Sequence, residues 1–151
     1  MLLGWHYSDY YTNAYAENQY LASRGYIVLS VNYRLGIGYG HDFHRPPNAG
    51  LQGASEYQDV KAGAEYLQKL PQVDSKRIGI YGGSYGGYLT NWIIGHSDRF
   101  KAAVTQRCVS NFYSMVGTSD IGFNFGVYEF GGTPWADTET LLKYSPISYV
   151  D

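Results

Sequence analysis

The sequence predicts an α/β fold in which a parallel β-sheet carries helices on both faces. Short, nearly continuous apolar segments alternate with segments of helical periodicity, and this alternation is typical of βαβ crossovers. The best-defined apolar segment, 26–33, is rich in β-branched residues and lacks the polar–apolar alternation of a strand with one solvated face. A glycine-rich turn joins a later apolar segment directly to a helix, and open parallel sheets place their sites at such strand ends.

The N-terminal part of the chain is predicted to contain a loop, a helix and the first strand. Residues 1–13 are aromatic and polar without a clear period, so they predict a loop. Residues 14–24 predict a helix, with Asn13 as its N-cap and Gly25 as its stop signal. The strand at 26–33 follows this helix directly.

A long loop and a longer helix follow the first strand. The loop, 34–53, is rich in glycine and proline, and loops of this length in compact domains commonly form sites or move. Ser55 and Gln58 have the spacing of a capping box, and Pro71 is expected to end the helix that starts there. Its buried face is predicted from apolar residues at helical spacing, namely Tyr57, Val60, Ala64 and Leu67.

Two further buried strands are predicted at 77–81 and 101–106, with a helix between them that reaches about Gly95. This helix is expected to bury Leu89, Trp92 and Ile93. Residues 107–136 have no strong period, although they hold many aromatic residues among glycines.

The C-terminal residues predict one more short helix. Asp137 can cap a helix at 138–144, and Pro146 is expected to stop it. Only three strands are predicted in all. A sheet that small leaves both of its edges bare, so we expect self-association through the uncovered edges.

Composition excludes several classes of function. The 151 residues carry a net charge of −2, and the charged side chains are scattered along the sequence without a basic run. Neither nucleic acid nor a membrane surface is therefore an expected partner. The single cysteine, Cys108, excludes an internal disulfide, and no Cys/His cluster has zinc-site spacing, so neither a metal nor a cofactor is expected. No apolar run approaches the ~20 residues of a membrane span. No signal peptide is recognisable in the first residues, which leaves both cytoplasm and periplasm open.

The glycine-rich turn has the pattern of a nucleophile elbow. Residues 77–81 form its strand, and Gly82, Ser84 and Gly86 supply the Gly-x-Ser-x-Gly motif that opens the next helix. A sharp strand-to-helix turn holds the serine in a strained conformation, so the residues two before and two after it must lack side chains. The alternative is a glycine-rich turn with an incidental serine.

Several segments together resemble one family. The segment 82–88 (GGSYGGY) closely resembles the nucleophile motif of the prolyl oligopeptidase family of serine peptidases, within it the acylaminoacyl peptidase and dipeptidyl peptidase branches. The likeness covers nearly the whole chain, through five further segments: 19–26 (QYLASRGY), 31–34 (VNYR), 59–63 (DVKAG), 98–104 (DRFKAAV) and 145–149 (SPISY).

The resemblance implies that residues 1–151 are part of an α/β-hydrolase catalytic domain, which in this family normally follows a β-propeller. It implies cleavage of short peptides or acyl-peptides by Ser, Asp and His in that chain order. Ser84 matches the nucleophile, and the backbone N–H of Tyr85 matches one donor of the oxyanion hole. The family's second donor lies near a His-Gly-Gly-Pro stretch, which is absent from this sequence.

No residue of this chain matches the triad Asp or His. In the family these residues come after the segment that resembles 145–149, so we expect an incomplete domain with weak or no activity. The one histidine after Ser84 is His96, about 18 Å further along the same helix, whereas a general base must come within about 3 Å. The other candidates fit a triad role poorly: His6, His41, His44, Asp98 and Asp120.

The segment after the third strand is predicted to contribute to substrate binding. By analogy with the family, Val109, Phe112 and Met115 are candidate walls of the P1 pocket, and the alternative is that they belong to the core. Two other function classes stay open. One is a carboxylesterase or lipase-like hydrolase with the same elbow, and the other is a non-catalytic domain that keeps the elbow for its geometry.

Overall fold

The described residues, 1–4, 8–47, 54–130 and 132–150, form two strands and seven α-helices in this computed structural model. The strands are β1 (Gly79–Gly83) and β2 (Ala102–Gln106). The helices are α1 (Ala16–Ser23), α2 (His41–His44), α3 (Ser55–Gln68), α4 (Tyr85–Ile94), α5 (Phe112–Thr118), α6 (Gly122–Phe130) and α7 (Thr138–Lys143), followed by a 3-10 helix at Pro146–Tyr149.

The sheet is parallel, and α4 is its crossover helix. β1 pairs with β2 from Gly79 opposite Ala102 to the carboxyl ends of both strands. Leu2 makes single parallel bridges to Gly82 on one side and to Val31 on the other. The order across the sheet is therefore Val31, Leu2, β1, β2, and the predicted α/β class with parallel pairing is confirmed.

One prediction for the N-terminal part is wrong. Among the described residues of 1–13 the predicted loop is confirmed apart from the single bridge at Leu2, although Leu2 and Leu3 are only 3% and 5% exposed and lie in the core beside β1. The segment 26–33 makes one bridge, at Val31, in place of a continuous strand. The segment lies at the outer margin of the described sheet. It is therefore not buried on both faces, contrary to the prediction from its composition.

Helix α1 starts later than predicted. Its N-cap is Tyr15, and the predicted cap, Asn13, instead accepts a hydrogen bond from the neighbouring Ala14 N–H at 2.8 Å. No residue of α1 is buried, which explains the weak periodic signal in this segment. The predicted end is confirmed, since Gly25 has φ +87°, the left-handed conformation typical of a residue that follows a helix.

Helix α3 has the predicted buried face but not the predicted cap. Val60 and Ala64 are buried. The capping box between Ser55 and Gln58 is wrong, because Ser55 is already the first helical residue and its hydroxyl donates to Glu56 Oε2 at 3.3 Å. The sequence motif lies one position too far along the chain to cap this helix.

The C-terminal half departs from prediction in two ways. The strand β2 is confirmed, but every one of its residues is exposed, so its predicted burial is wrong. Its one strand neighbour among the described residues is β1. Residues 107–136 contain α5 and α6, which were not predicted because this segment lacks a clear hydrophobic periodicity. A usable signal was present, because Asn111 caps α5 by accepting a hydrogen bond from the Ser114 N–H at 3.1 Å.

The core is built around α4. Leu89, Trp92 and Ile93 are buried, as predicted. Tyr88 of the same helix is 1% exposed, and its ring centroid lies 5.1 Å from that of Phe112 on α5. Aromatic packing therefore joins the crossover helix to the helical C-terminal part.

Ser145 connects α7 to α5. Its buried hydroxyl donates to the Leu141 carbonyl at 2.7 Å and accepts from the Phe112 N–H at 2.9 Å. Helix α7 begins as predicted, with the Asp137 carboxylate accepting from the Thr140 N–H at 3.0 Å. The C-terminal segment is thus held against the core by directed hydrogen bonds as well as by apolar burial.

Candidate active site

Ser84 occupies the turn between β1 and α4 in a strained conformation. Its φ and ψ are +56° and −121°, a region that non-glycine residues rarely adopt. Such conformations cost roughly 1–3 kcal/mol and cluster at functional sites. The described hydrogen bonds of Ser84 are made by its backbone, and none by its hydroxyl. The hydroxyl is therefore held at the carboxyl end of the sheet without a proton acceptor among the described residues.

The two motif glycines lie against backbone atoms. A Cβ atom on Gly82 would collide with the carbonyl oxygen of Gly86. A Cβ atom on Gly86 would lie 2.5 Å from the Leu3 carbonyl oxygen and 2.8 Å from that of Leu2. Neither obstacle is the mobile end of a side chain, so the turn can close only if both positions lack a side chain.

Backbone hydrogen bonds fix the turn on both sides. The Ser84 N–H donates to the Gln106 carbonyl at the end of β2 at 3.0 Å. The Tyr85 N–H, the predicted oxyanion donor, donates to the Gly4 carbonyl at 3.1 Å. In this structure the predicted donor is therefore paired, and it can serve an oxyanion only after the Gly4 carbonyl moves away.

The histidines make other contacts. His96 lies beyond the far end of α4, where its ring stacks on Trp92 with centroids 4.2 Å apart and its Nδ1 lies 2.7 Å from the Trp92 carbonyl oxygen. His44 Nδ1 lies 3.0 Å from the Leu35 carbonyl oxygen, and His41 is exposed beside Asp42. The remaining histidine considered from the sequence, His6, lies outside the described residues.

The two aspartates considered from the sequence are solvent-exposed. Asp98 follows α4, and Asp120 lies between α5 and α6, where its Oδ1 accepts from the Ile121 N–H at 3.1 Å. The part of the chain that the structure describes also holds no group of three His, Cys, Asp or Glu side chains suited to a metal ion. Nor does any described helix have the length and apolar character needed to cross a bilayer.

The three candidate pocket residues lie at or against the core. Phe112 is 2% exposed, and its ring packs on Tyr88 and, at 6.0 Å between centroids, on Phe125. Val109 and Met115 are partly buried against the same cluster. Their role as walls of a P1 pocket stays a prediction.

Glu56 on α3 is a buried carboxyl group that the sequence did not indicate. It is 1% exposed, and burial, only partly offset by hydrogen bonds from its own backbone N–H and from Ser55, raises its pKa to about 7. Charge on Glu56 also acts on the phenols of Tyr33 and Tyr88, whose pKa values are raised chiefly by their own burial. An acidic residue in the first turn of a helix is normally read as a solvated partner of the helix dipole, so no pattern distinguishes this one.

Tyr33 links this buried cluster to the N-terminal segment. Its hydroxyl is fully buried and donates to the Leu3 carbonyl at 3.0 Å, the same carbonyl that lies against Gly86. Tyr88 differs, because its buried hydroxyl has no hydrogen-bond partner among the described residues. Of these two buried phenols, Tyr33 is therefore hydrogen-bonded, and Tyr88 has no hydrogen-bond partner for its hydroxyl among the described residues.

An ion pair holds the chain after Tyr33. The Arg34 guanidinium donates to both carboxylate oxygens of Asp59 on α3, with Nη2 to Oδ1 at 2.8 Å, and the Arg34 backbone N–H donates to Oδ2 at 2.8 Å. Bidentate pairs of this kind are directional. The start of the long loop is thus fixed to α3, which also carries Glu56.

Comparison with known proteins identifies the chain's relatives. Residues 12–151 match the model of the prolyl oligopeptidase family. The chain is 46% identical over 134 residues to the uncharacterized peptidase YuxL of Bacillus subtilis, covering 88% of this chain and 20% of that protein. It is 39% identical over 140 residues to the acylamino-acid-releasing enzyme of Arabidopsis thaliana, covering 87% of this chain and 18% of that enzyme.

A solved structure agrees with this assignment. The acylaminoacyl peptidase of Pyrococcus horikoshii superposes with a TM-score of 0.86 at 36% identity, over 98% of this chain and 24% of that protein. The chain therefore has the α/β-hydrolase fold in part, and it spans about a fifth of the length of the curated relatives it matches.

Proposed function

The chain belongs to the prolyl oligopeptidase family, and on that premise we propose that the protein is a serine peptidase that cleaves short peptides through an acyl-enzyme on Ser84. The observation that carries the proposal is the conformation of Ser84, with φ +56° between two glycines that admit no side chain. A strained serine of this kind at a strand-to-helix turn presents its hydroxyl to a substrate above the sheet.

The reaction begins with attack of Ser84 Oγ on the carbonyl carbon of the scissile bond. The hydroxyl proton passes to a general base, the C–N bond breaks, and the amine leaves with that proton; water then hydrolyses the ester. We assign the base to a residue outside the described part, since His41, His44 and His96 make other contacts there. The Tyr85 N–H stabilises the oxyanion once it is released from the Gly4 carbonyl.

The names of the relatives support a short or acylated peptide as substrate. They include acylamino-acid-releasing enzymes and dipeptidyl-peptidase 5 of Schizosaccharomyces pombe, 33% identical over 135 residues. One solved acylaminoacyl peptidase structure holds Z-Gly-Gly-Phe-chloromethyl ketone. We propose that Val109, Phe112 and Met115 lie along the acyl side of the corresponding pocket.

The test is covalent labelling by a fluorophosphonate probe, with Ser84→Ala as control. The protein expressed from the whole open reading frame should be labelled stoichiometrically at Ser84, whereas the 151-residue chain should react slowly because none of its described residues places a general base beside the serine. Failure of the longer protein to label would overturn the peptidase proposal and favour a non-catalytic domain. Rapid labelling of the 151-residue chain would instead refute its assignment as an incomplete catalytic unit.

A carboxylesterase is the second candidate, because it uses the same turn. Rates of hydrolysis of acyl-aminoacyl anilides and p-nitrophenyl esters by the same protein separate the two. A peptidase should retain substantial activity on the anilide, and an esterase should hydrolyse only the ester.

We also propose that the isolated chain self-associates through β2. This strand is exposed along its whole length, and Val104 at its centre is 54% exposed. Its one described neighbour is β1, so its other edge presents backbone groups that a second chain can pair with.

A further inference from the structure

Arg107 lies beside the candidate nucleophile because the register of β1 with β2 brings the two residues to the same edge of the sheet. Gly83 and Gln106 are opposite each other at the carboxyl ends of β1 and β2. Ser84 and Arg107 are the next residues on the two strands, so both leave the sheet at the same edge. The Ser84 N–H donates to the Gln106 carbonyl at 3.0 Å, which fixes this neighbourhood.

Arg107 shares the backbone strain of Ser84. Its φ is +39°, and the described non-glycine residues with positive φ are Leu35, Ser84 and Arg107. Arginine has no side-chain feature that favours the left-handed region, so this conformation costs free energy and must be imposed by its surroundings. Two strained residues at adjacent strand ends indicate a shared site.

The guanidinium of Arg107 lies over Gly83. A Cβ atom on Gly83 would lie 3.0 Å from Arg107 Nη2 and 3.1 Å from Cζ. A side chain at position 83 would require the flexible end of Arg107 to shift by a few tenths of an ångström. The positive charge therefore lies against the residue directly before Ser84.

The charge has no carboxylate partner in the described part of the chain. Arg34, Arg77 and Arg99 each pair with an acidic side chain, at 2.8, 2.6 and 3.3 Å, whereas Arg24 and Arg45 resemble Arg107 in having no described ion pair. Arg107 is exposed, and its described hydrogen bond runs from Nη1 to the neutral amide of Gln106 at 3.2 Å. No other described hydrogen bond uses the remaining N–H groups of this guanidinium.

We propose that Arg107 is a substrate-binding residue that pairs with a carboxylate of a peptide bound across Ser84. The planar fork of guanidinium donors matches a carboxylate in two parallel hydrogen bonds. The carboxylate belongs either to an acidic side chain next to the scissile bond or to the free C-terminus of a short peptide. The inference rests on the proposed peptidase function and specifies its substrate class.

Equilibrium binding tests the pairing without requiring turnover. The 151-residue chain is labelled with ¹⁵N and titrated with three peptides, and the Nε–Hε resonance of Arg107 is identified by its loss in Arg107→Gln. Acetyl-Gly-Glu-amide carries only a side-chain carboxylate, acetyl-Gly-Gln only a terminal one, and acetyl-Gly-Gln-amide neither. The Ser84→Ala variant is titrated in parallel.

One carboxylate peptide should bind about threefold to tenfold more tightly than the neutral peptide, and the preferred peptide identifies the source of the carboxylate. Arg107→Gln should abolish the preference. Arg77→Gln, which removes the same charge near the opposite end of β1, should preserve it, and so should Ser84→Ala.

Equal affinities for the three peptides, no saturable shift with any of them, or a preference that survives Arg107→Gln would each overturn the proposal. Because binding does not require the Ser84 hydroxyl, these results leave the labelling test of the nucleophile unaffected. The two proposals can therefore fail separately.

Discussion

The Tyr85 N–H donates to the Gly4 carbonyl at 3.1 Å, across the turn that carries Ser84. The N-terminal residues 2–4 therefore form part of the candidate site, because their carbonyl groups contact Tyr85 and Gly86 directly. The carbonyl oxygens of Leu2 and Leu3 lie against Gly86, the residue that follows Tyr85 in the helix.

Gly86→Ala should lower the free energy of unfolding by about 2–3 kcal/mol, because the added Cβ would meet two backbone carbonyls that cannot rotate away. Urea denaturation measures this change. The control is Gly117→Ala in α5, where nothing lies within 4 Å of the added atom. That variant should be as stable as the parent or more stable by roughly 0.5–1 kcal/mol, and equal losses in both variants would contradict the assigned contact.

Stability should fall as pH rises from about 4.5 to about 7 because of Glu56. In the folded chain burial raises the pKa of this carboxyl to about 7 from its usual 4.5, so the unfolded state loses its proton first. The stabilising neutral form is fully present below pH 4.5 and is lost through pH 7, a change of about 3 kcal/mol.

The measurement for Glu56 is urea denaturation at several pH values. Glu56→Gln keeps a neutral side chain of similar shape and should flatten this part of the profile, whereas Glu139→Gln at an exposed position should not. An unchanged slope in Glu56→Gln would show that another group causes the pH dependence.

Tyr88→Phe and Tyr33→Phe should have opposite effects on stability. Both phenols are buried, but the Tyr88 hydroxyl has no described partner, whereas the Tyr33 hydroxyl donates to the Leu3 carbonyl at 3.0 Å. Removing the first hydroxyl should raise the free energy of unfolding by up to about 1 kcal/mol, and removing the second should lower it by about 1 kcal/mol. Thermal or urea denaturation of the pair decides, and a loss in both variants would mean that Tyr88 has a partner.

Val104→Lys should shift the isolated chain toward monomer in analytical ultracentrifugation. A lysine on an exposed edge strand opposes pairing with a second chain. Val150→Lys introduces the same charge at a position that is 76% exposed and outside the sheet, so it should leave the association unchanged. A monomeric parent, or equal dissociation by both variants, would count against association through β2.

The sequence predicted the parts of the fold that local patterns determine. The turn at Ser84, the helix after it and the cap at Asp137 all depend on residues close together in the chain. The paired position of Leu2 could not be predicted, because its partners, Val31 and Gly82, are distant in sequence. Burial of β2 was predicted from composition alone, which carries no information on whether a neighbouring strand is present.

The candidate site was predictable to a similar degree. Ser84 was identified from its motif, since the steric rule for the turn acts within five residues. Arg107 and Glu56 were not identified, because one arginine and one glutamate among many carry no local signature. Only the register of β1 with β2 places Arg107 beside Ser84, and only tertiary packing buries Glu56.

The double bridge made by Leu2 has a kinetic consequence. The bridge from Leu2 to Gly82 joins segments separated by about half of the chain, so closing it costs loop entropy before the apolar surface of the core is buried. Chains dominated by such non-local pairing fold slowly, and their unpaired strands stay open to other molecules in the meantime. For this chain the yield on refolding should therefore fall as protein concentration rises.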